Sequence, residues 1–241
     1  MLELRDLVKH YHVGDAEPIR AVDGVSLSVA AGEFMALYGP SGSGKTTLLE
    51  LIAGLTPADR GSVLVEGRDV GAMSTRESDH YRLRQLGIIG QPHNLIPGAR
   101  AIENASLRLW LTNKRHARRT IEPLLDRLGL GERMMHRTEQ LSMGERQRVL
   151  IAMALATEPK LVLADEPTGT LDTQRTREVL ALLRELCEER GVAIVLATHD
   201  PQAAMFADQV HELRDGRIGE YRPEHVLVPA SSLSDLDAEL D

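Results

Sequence analysis

The chain has 241 residues and a net charge of −8, from Lys+Arg 28 against Asp+Glu 36; this suits one large domain, or one with an inserted lobe, and argues against a general nucleic-acid binder. The single cysteine, Cys187, excludes an intramolecular disulfide and any cysteine-built metal site, and four residues after Leu183 it falls on a helical stripe expected in the core. Met1-Leu2-Glu3-Leu4-Arg5-Asp6 carries no charged-then-apolar signal and no run approaches the roughly 18 apolar residues of a membrane span, so the expectation is a soluble, cytoplasmic polypeptide that leaves any spanning to another chain.

From the N-terminus, Leu2, Leu4 and Leu7, and later Val25, Leu27 and Val29, alternate with polar residues. That period predicts antiparallel strands, with Gly14-Asp15 and Asp23-Gly24 read as turns. Glu33-Phe34-Met35-Ala36-Leu37-Tyr38 predicts a buried strand running into Gly39-Pro40-Ser41-Gly42-Ser43-Gly44-Lys45-Thr46-Thr47, which fits the phosphate-binding pattern G-x-x-x-x-G-K-[ST] at every fixed position. Glycines let the backbone fold around an anion so that successive N–H groups point at phosphate oxygens. Lys45 adds a point charge and Thr46 a hydroxyl for a magnesium ion. Leu48, Leu49, Leu51 and Ile52 make the following helix, whose positive end faces the phosphates and which Gly54 ends. Short strands are expected at 61–67 and at Leu86-Gly87-Ile88-Ile89, the second leading to Gln91.

Residues from about 99 to 157 show no strand pattern. Ile121, Leu124, Leu125 and Leu128 keep helical spacing, as do Val149, Met153 and Ala156, which predicts an inserted helical lobe. Its basic run, Lys114-Arg115-His116-Ala117-Arg118-Arg119, reads as a solvated helix face. In Leu141-Ser142-Met143-Gly144-Glu145, Ser142 with Glu145 three residues on forms a capping box, so a helix starts there. Leu161-Val162-Leu163-Ala164 is an apolar strand that delivers Asp165 and Glu166, one suited to holding magnesium and the other to polarising a water; helix capping is their structural alternative. An amphipathic helix is expected at 173–190, stopped by Gly191, then a second apolar strand at 192–198 that ends at His199. Gly39, Asp165 and His199 thus each fall just past the carboxyl end of a predicted strand, where open α/β sheets bind ligands. The expected fold is α/β: a P-loop NTPase core with a mainly parallel sheet, an N-terminal antiparallel β subdomain and an inserted α-helical subdomain at about 92–157. The expected domain is 1–222, with an acidic tail at 223–241.

These motifs, in this order over about residues 2 to 222, resemble the ATP-binding subunits of ABC transporters. The Leu-Ser-Met-Gly-Glu segment matches the family's signature except at Met143, where glycine is usual and lets a facing subunit approach. The resemblance implies an ATPase using ATP and Mg2+ that dimerises head to tail around two ATP molecules, with a second ATP-binding subunit, and drives a membrane-spanning transporter subunit from the cytoplasmic face. In that scheme Ser142 and the following Gly144 bind the γ-phosphate of ATP held by the other subunit's phosphate loop, and Glu145 belongs to the same cofactor-binding segment. Tyr11 corresponds to the aromatic that stacks on adenine, although by itself it also fits a strand residue packed on the core. Gln91 matches the glutamine that touches magnesium and water, with Gly90 standing where the family often has an aromatic. Asp172 matches the loop that crosses the dimer interface, and alone it reads as a helix N-cap. His199 matches the histidine that contacts the γ-phosphate. The run from Ala164 to Asp172 and the Ser26-Leu27-Ser28 approach to the phosphate loop look closest to the lipoprotein-release and macrolide-efflux branch. No nucleic-acid partner is expected. A DNA- or ribosome-acting relative would need a coiled-coil insertion or a second nucleotide-binding half, and a stand-alone kinase or GTPase would leave the Leu-Ser-x-Gly-Glu segment unexplained.

Overall fold

The computed structural model describes residues 1–12, 14, 17–90, 95–112, 117–169 and 171–220. Gln91, residues 114–116 of the basic run, Thr170 and the acidic tail lie outside the described residues. The first half holds β1 (Leu2–Tyr11), β2 (Ile19–Val29), β3 (Phe34–Tyr38), α1 (Lys45–Ile52), β4 (Arg60–Val65), β5 (Arg68–Asp69), α2 (Thr75–Arg84) and β6 (Leu86–Ile89). The second holds α3 (Ala101–Leu111), α4 (Ala117–Arg127), α5 (Met143–Leu155), β7 (Leu161–Asp165), α6 (Thr173–Arg190), β8 (Ala193–Thr198), α7 (Pro201–Ala204), β9 (Gln209–Arg214) and β10 (Arg217–Glu220).

Two sheets form among the described residues. One is antiparallel, in the order β2-β1-β4-β5. The other runs β10-β9-β3-β8-β7-β6 and is parallel throughout except for the edge hairpin β9–β10. The apolar runs of β7 and β8 follow from burial on both faces. Val162, Ala164, Ile194 and Leu196 pack into a cluster with residues of α3, α5 and α6, Cys187 among them. Their sequence neighbours Leu161, Leu163, Ala193, Val195 and Ala197 pack with α1 and the apolar face of the first sheet. This places the carboxyl ends of β3, β7 and β8 side by side.

Asp23-Gly24 is not a turn. Val8 pairs with Asp23 and Leu7 with Val25, so Gly24, at φ 76°, is an extra residue bulged within β2. Three further elements carry little apolar periodicity and were not expected. α2 buries only Tyr81 and is set by a capping box between Ser74 and Glu77. Tyr81 donates its hydroxyl hydrogen to the Ile52 carbonyl at 2.9 Å, which ties α2 to the end of α1. β9 and β10 join through Asp215-Gly216, both at positive φ (48° and 76°), the backbone of a tight hairpin turn.

Candidate functional site

The phosphate loop spans from the end of β3 to the first residue of α1. Gly39 N donates to Thr198 O at 3.2 Å, which ties the loop's entry to the exit of β8. Gly44 lies at φ 105°, and a Cβ there would collide with the Ala21 carbonyl of β2, so both conformation and space demand glycine. The Ser43 carbonyl accepts from Gly216 N at 3.2 Å, so the β9–β10 turn braces the loop from the other side. Ser43 Oγ is buried without a hydrogen-bond partner among the described residues. Lys45 is 6% exposed and folds back over the loop, donating to the carbonyls of Gly39 (2.7 Å) and Pro40 (3.0 Å). Its Nζ lies 3.7 Å from Glu166 Oε1.

β7 brings the acidic pair to the same edge. Thr46 donates its hydroxyl hydrogen to Asp165 Oδ2 at 3.0 Å. Burial pushes the Asp165 carboxyl above the ordinary carboxylate range, the Thr46 hydrogen bond opposes that rise, and the neighbouring Glu166 adds to it. Glu166 itself is held at φ 46°, with its N–H donating to Ala197 O of β8 at 3.0 Å. A non-glycine residue in that conformation is uncommon, and here it turns the carboxylate toward the loop. Glu166 Oε1 meets His199 Nδ1 at 2.9 Å, with the imidazole 63% exposed and the carboxylate 24%.

These groups share one open cleft of about 840 Å3, lined by Tyr11, Pro40, Ser41, Gly42, Gly44, Lys45, Thr46, Thr47, Asp165, Glu166 and His199. Tyr11 is 36% exposed and lines this cleft instead of packing into the core, with Lys9 Nζ 5.5 Å from its ring centroid. Ile19, Arg20, Ala21 and Asp215 line it as well and escaped sequence reasoning. Asp215 belongs to an Asp-Gly turn that could have signalled a hairpin, but nothing local ties that turn to a loop 170 residues upstream. The hydroxyl of Thr46 beside the carboxylate of Asp165 is a hard-oxygen donor pair of the kind magnesium takes together with substrate phosphates. Among the described residues no group of three or more His, Cys, Asp or Glu converges as a metal cage.

A second group stands apart from the cleft. Ser142 is the N-cap of α5: its Oγ accepts from Glu145 N at 3.3 Å, and Ser142 N donates to Glu145 Oε2 at 2.7 Å. Asp172 caps α6 by accepting from Arg175 N at 2.9 Å. The two helix starts touch, because a Cβ on Gly144 would meet Arg175 Cδ at 3.1 Å and Leu171 Cδ2 at 3.6 Å. Ser142, Gly144, Glu145 and Asp172 are therefore gathered on one surface but do not line the cleft of their own chain.

A family model described as ABC transporter matches residues 22–169. The Lipoprotein-releasing system ATP-binding protein LolD of Alcanivorax borkumensis is 45% identical over 219 residues, which cover 90% of this chain and 95% of that protein. The Macrolide export ATP-binding/permease protein MacB of Rhodopirellula baltica is 42% identical over 244 residues; these cover 99% of this chain, which spans only 36% of that longer protein. Among solved structures, the dimeric structure of MJ0796, a bacterial ABC transporter cassette, is similar with a TM-score of 0.85 at 35% identity, over 91% of this chain and 97% of that one. The same cassette in a dimeric post-hydrolysis state bound to ADP and Pi gives a TM-score of 0.84 at 35% identity, over 92% of this chain and 99% of that one.

Proposed function

The chain belongs to the ABC transporter family as an ATP-hydrolysing, ATP-binding subunit, and from that premise we propose that two copies close head to tail around two ATP molecules to drive a separate membrane-spanning partner. The observation that carries the chemistry is the convergence of Lys45, Thr46, Asp165, Glu166 and His199 on the cleft that Tyr11 also lines. Nucleotide entry exchanges the two carbonyl bonds of Lys45 for phosphate oxygens. Thr46 and Asp165 would hold Mg2+, and when bound that ion neutralises charge on the transferring phosphoryl group. Glu166, already aimed by its backbone and by His199, takes a proton from the attacking water. His199 also reaches the γ-phosphate, and the family resemblance assigns Gln91, outside the described residues, to the magnesium ion and the water. Tyr11 offers its exposed ring to the adenine.

Among the described residues each cleft is open on one side. The surface that carries Ser142, Gly144, Glu145 and Asp172 faces elsewhere, and a second copy in head-to-tail register supplies it. The dimeric form of the similar cassette supports this arrangement. Among the described residues no helix is long and apolar enough to cross a membrane, so in this reading the spanning segments belong to another chain and this one works at its cytoplasmic face. The kinship with the LolD and MacB proteins supports export or mechanical transmission, with a lipoprotein, drug or peptide as the class of cargo.

Replacing Glu166 by Gln tests the assignment. Magnesium-dependent phosphate release falls by about 10²–10⁴, the usual worth of a general base, while ATP binding stays within a few-fold of the parent. Unchanged turnover removes Glu166 from that role. Affinity capture of the full chain from detergent-solubilised membranes tests the coupling: a multispanning protein retained stoichiometrically supports it, and capture of no membrane protein leaves a soluble ATPase.

A further inference from the structure

Glu145 gives the cleft-covering surface an electrostatic problem. Its Oε2 closes the capping box on Ser142 N at 2.7 Å, which fixes a full negative charge beside the hydroxyl assigned to the γ-phosphate of the neighbouring copy's ATP. Two anions brought together repel, and more steeply as a closing interface expels water. The other carboxylate oxygen, Oε1, accepts from Arg133 Nε at 3.2 Å. Arg133 ends the short 3-10 turn Gly131–Arg133, so a segment outside α5 supplies the charge. Arg133 is the outer member of this pair, with 49% of its side chain exposed against 19% for Glu145. Burial raises the Glu145 carboxyl, but the Ser142 and Arg133 interactions more than offset it and leave it below the ordinary range, ionised.

We propose that Arg133 is a positioning residue for the nucleotide-covering surface, holding Glu145 in its cap and cancelling its charge so that the start of α5 can receive the phosphates presented by a second copy. The inference rests on the head-to-tail reading above. It separates Arg133 from a simple surface brace, because an exposed ion pair by itself contributes little to folding, whereas an uncancelled carboxylate at a phosphate contact works directly against closure.

The test is a charge-cancelling cycle in the full chain carrying Glu166→Gln, which accumulates the closed state, with dimer fraction followed by sedimentation against Mg-ATP. Arg133→Gln raises the ATP concentration for half-maximal dimer on the order of tenfold. Adding Glu145→Gln, which keeps the cap, returns it to within about threefold of the parent, as expected of coupled neighbours, and Arg133→Lys alone retains most of the affinity. Two results overturn the proposal: Arg133→Gln without effect, or a loss that Glu145→Gln does not restore. A lowered melting temperature in Arg133→Gln that persists with Glu145→Gln identifies a bracing role and also overturns it. If the Glu166→Gln parent stays monomeric at saturating Mg-ATP, alone and with its membrane partner, the head-to-tail reading itself fails and takes this inference with it.

Discussion

Asp165 is pushed toward its protonated form by burial, and its neighbour Glu166 pushes the same way. The empty fold is therefore most favoured with this carboxyl neutral: its contribution is present below the ordinary carboxylate pKa and is lost as pH rises through the raised value. A cation held between Asp165 and Thr46 removes that penalty. Replacing Asp165 by Asn should thus raise the melting temperature of the nucleotide-free protein, by roughly 2–4 °C for each kcal/mol relieved. The same variant loses magnesium-dependent hydrolysis by at least about a hundredfold. Calorimetry without nucleotide and a phosphate-release assay read the two effects separately, and a fall in both would show that the carboxylate braces the fold instead of straining it.

At the scale of elements, Asp208 and Phe34 fasten the start of β9 to the start of β3. Asp208 Oδ2 accepts from Phe34 N at 2.9 Å, Asp208 N donates to Phe34 O at 2.7 Å, and Oδ1 meets Arg184 Nη1 of α6 at 2.7 Å. Burial raises the Asp208 carboxyl, but the Phe34 N–H and Arg184 outweigh it and hold it below the ordinary range. Stabilisation from this lowered carboxyl is complete above its unfolded pKa and fades as pH falls through the depressed one. Asp208→Asn should cost about 1 kcal/mol or less at pH 7, reduced by solvent at so exposed a pair, and progressively less as acid protonates the carboxyl through its depressed range. Urea melts of both proteins at pH 7 and at successively more acid pH check this. These elements also mark what the sequence makes visible. β3, β7 and β8 are legible because burial on both faces demands uninterrupted apolar runs, and they hand the phosphate loop, the Asp165-Glu166 pair and His199 to the same sheet edge. α2 rests on one buried tyrosine and a cap, and β9 carries charges on a short, partly exposed strand, so periodicity passes over both. The cleft residues Arg20 and Asp215 are hidden for a related reason: their position comes from the bracing of β2 and the β9–β10 turn against the phosphate loop, a long-range contact that no local pattern encodes.

For the molecule as a whole, the departure at Met143 bears on how two copies meet. Met143 opens α5 and is 40% exposed, directly between Ser142 and Gly144. In the head-to-tail dimer proposed above, its thioether side chain stands on the surface that approaches a neighbour's phosphates. Met143→Gly should lower the ATP needed for dimerisation and raise turnover by roughly threefold, equivalent to removing somewhat less than 1 kcal/mol of obstruction. Steady-state hydrolysis across an ATP titration reads both, and no gain in either would show that the methionine points clear of the nucleotide.

The placing of β3 between β8 and β9 reaches back to synthesis. Its Met35 pairs on one side with Val195 and on the other with Gln209. At about 5–20 residues per second, a ribosome takes roughly ten to thirty seconds to deliver those partners after β3 has emerged. Throughout that interval Phe34, Met35, Ala36 and Leu37, all fully buried in the finished fold, remain unpaired on the nascent chain. Chaperone capture, and aggregation of chains truncated before residue 209, will therefore centre on the strand that carries the phosphate loop.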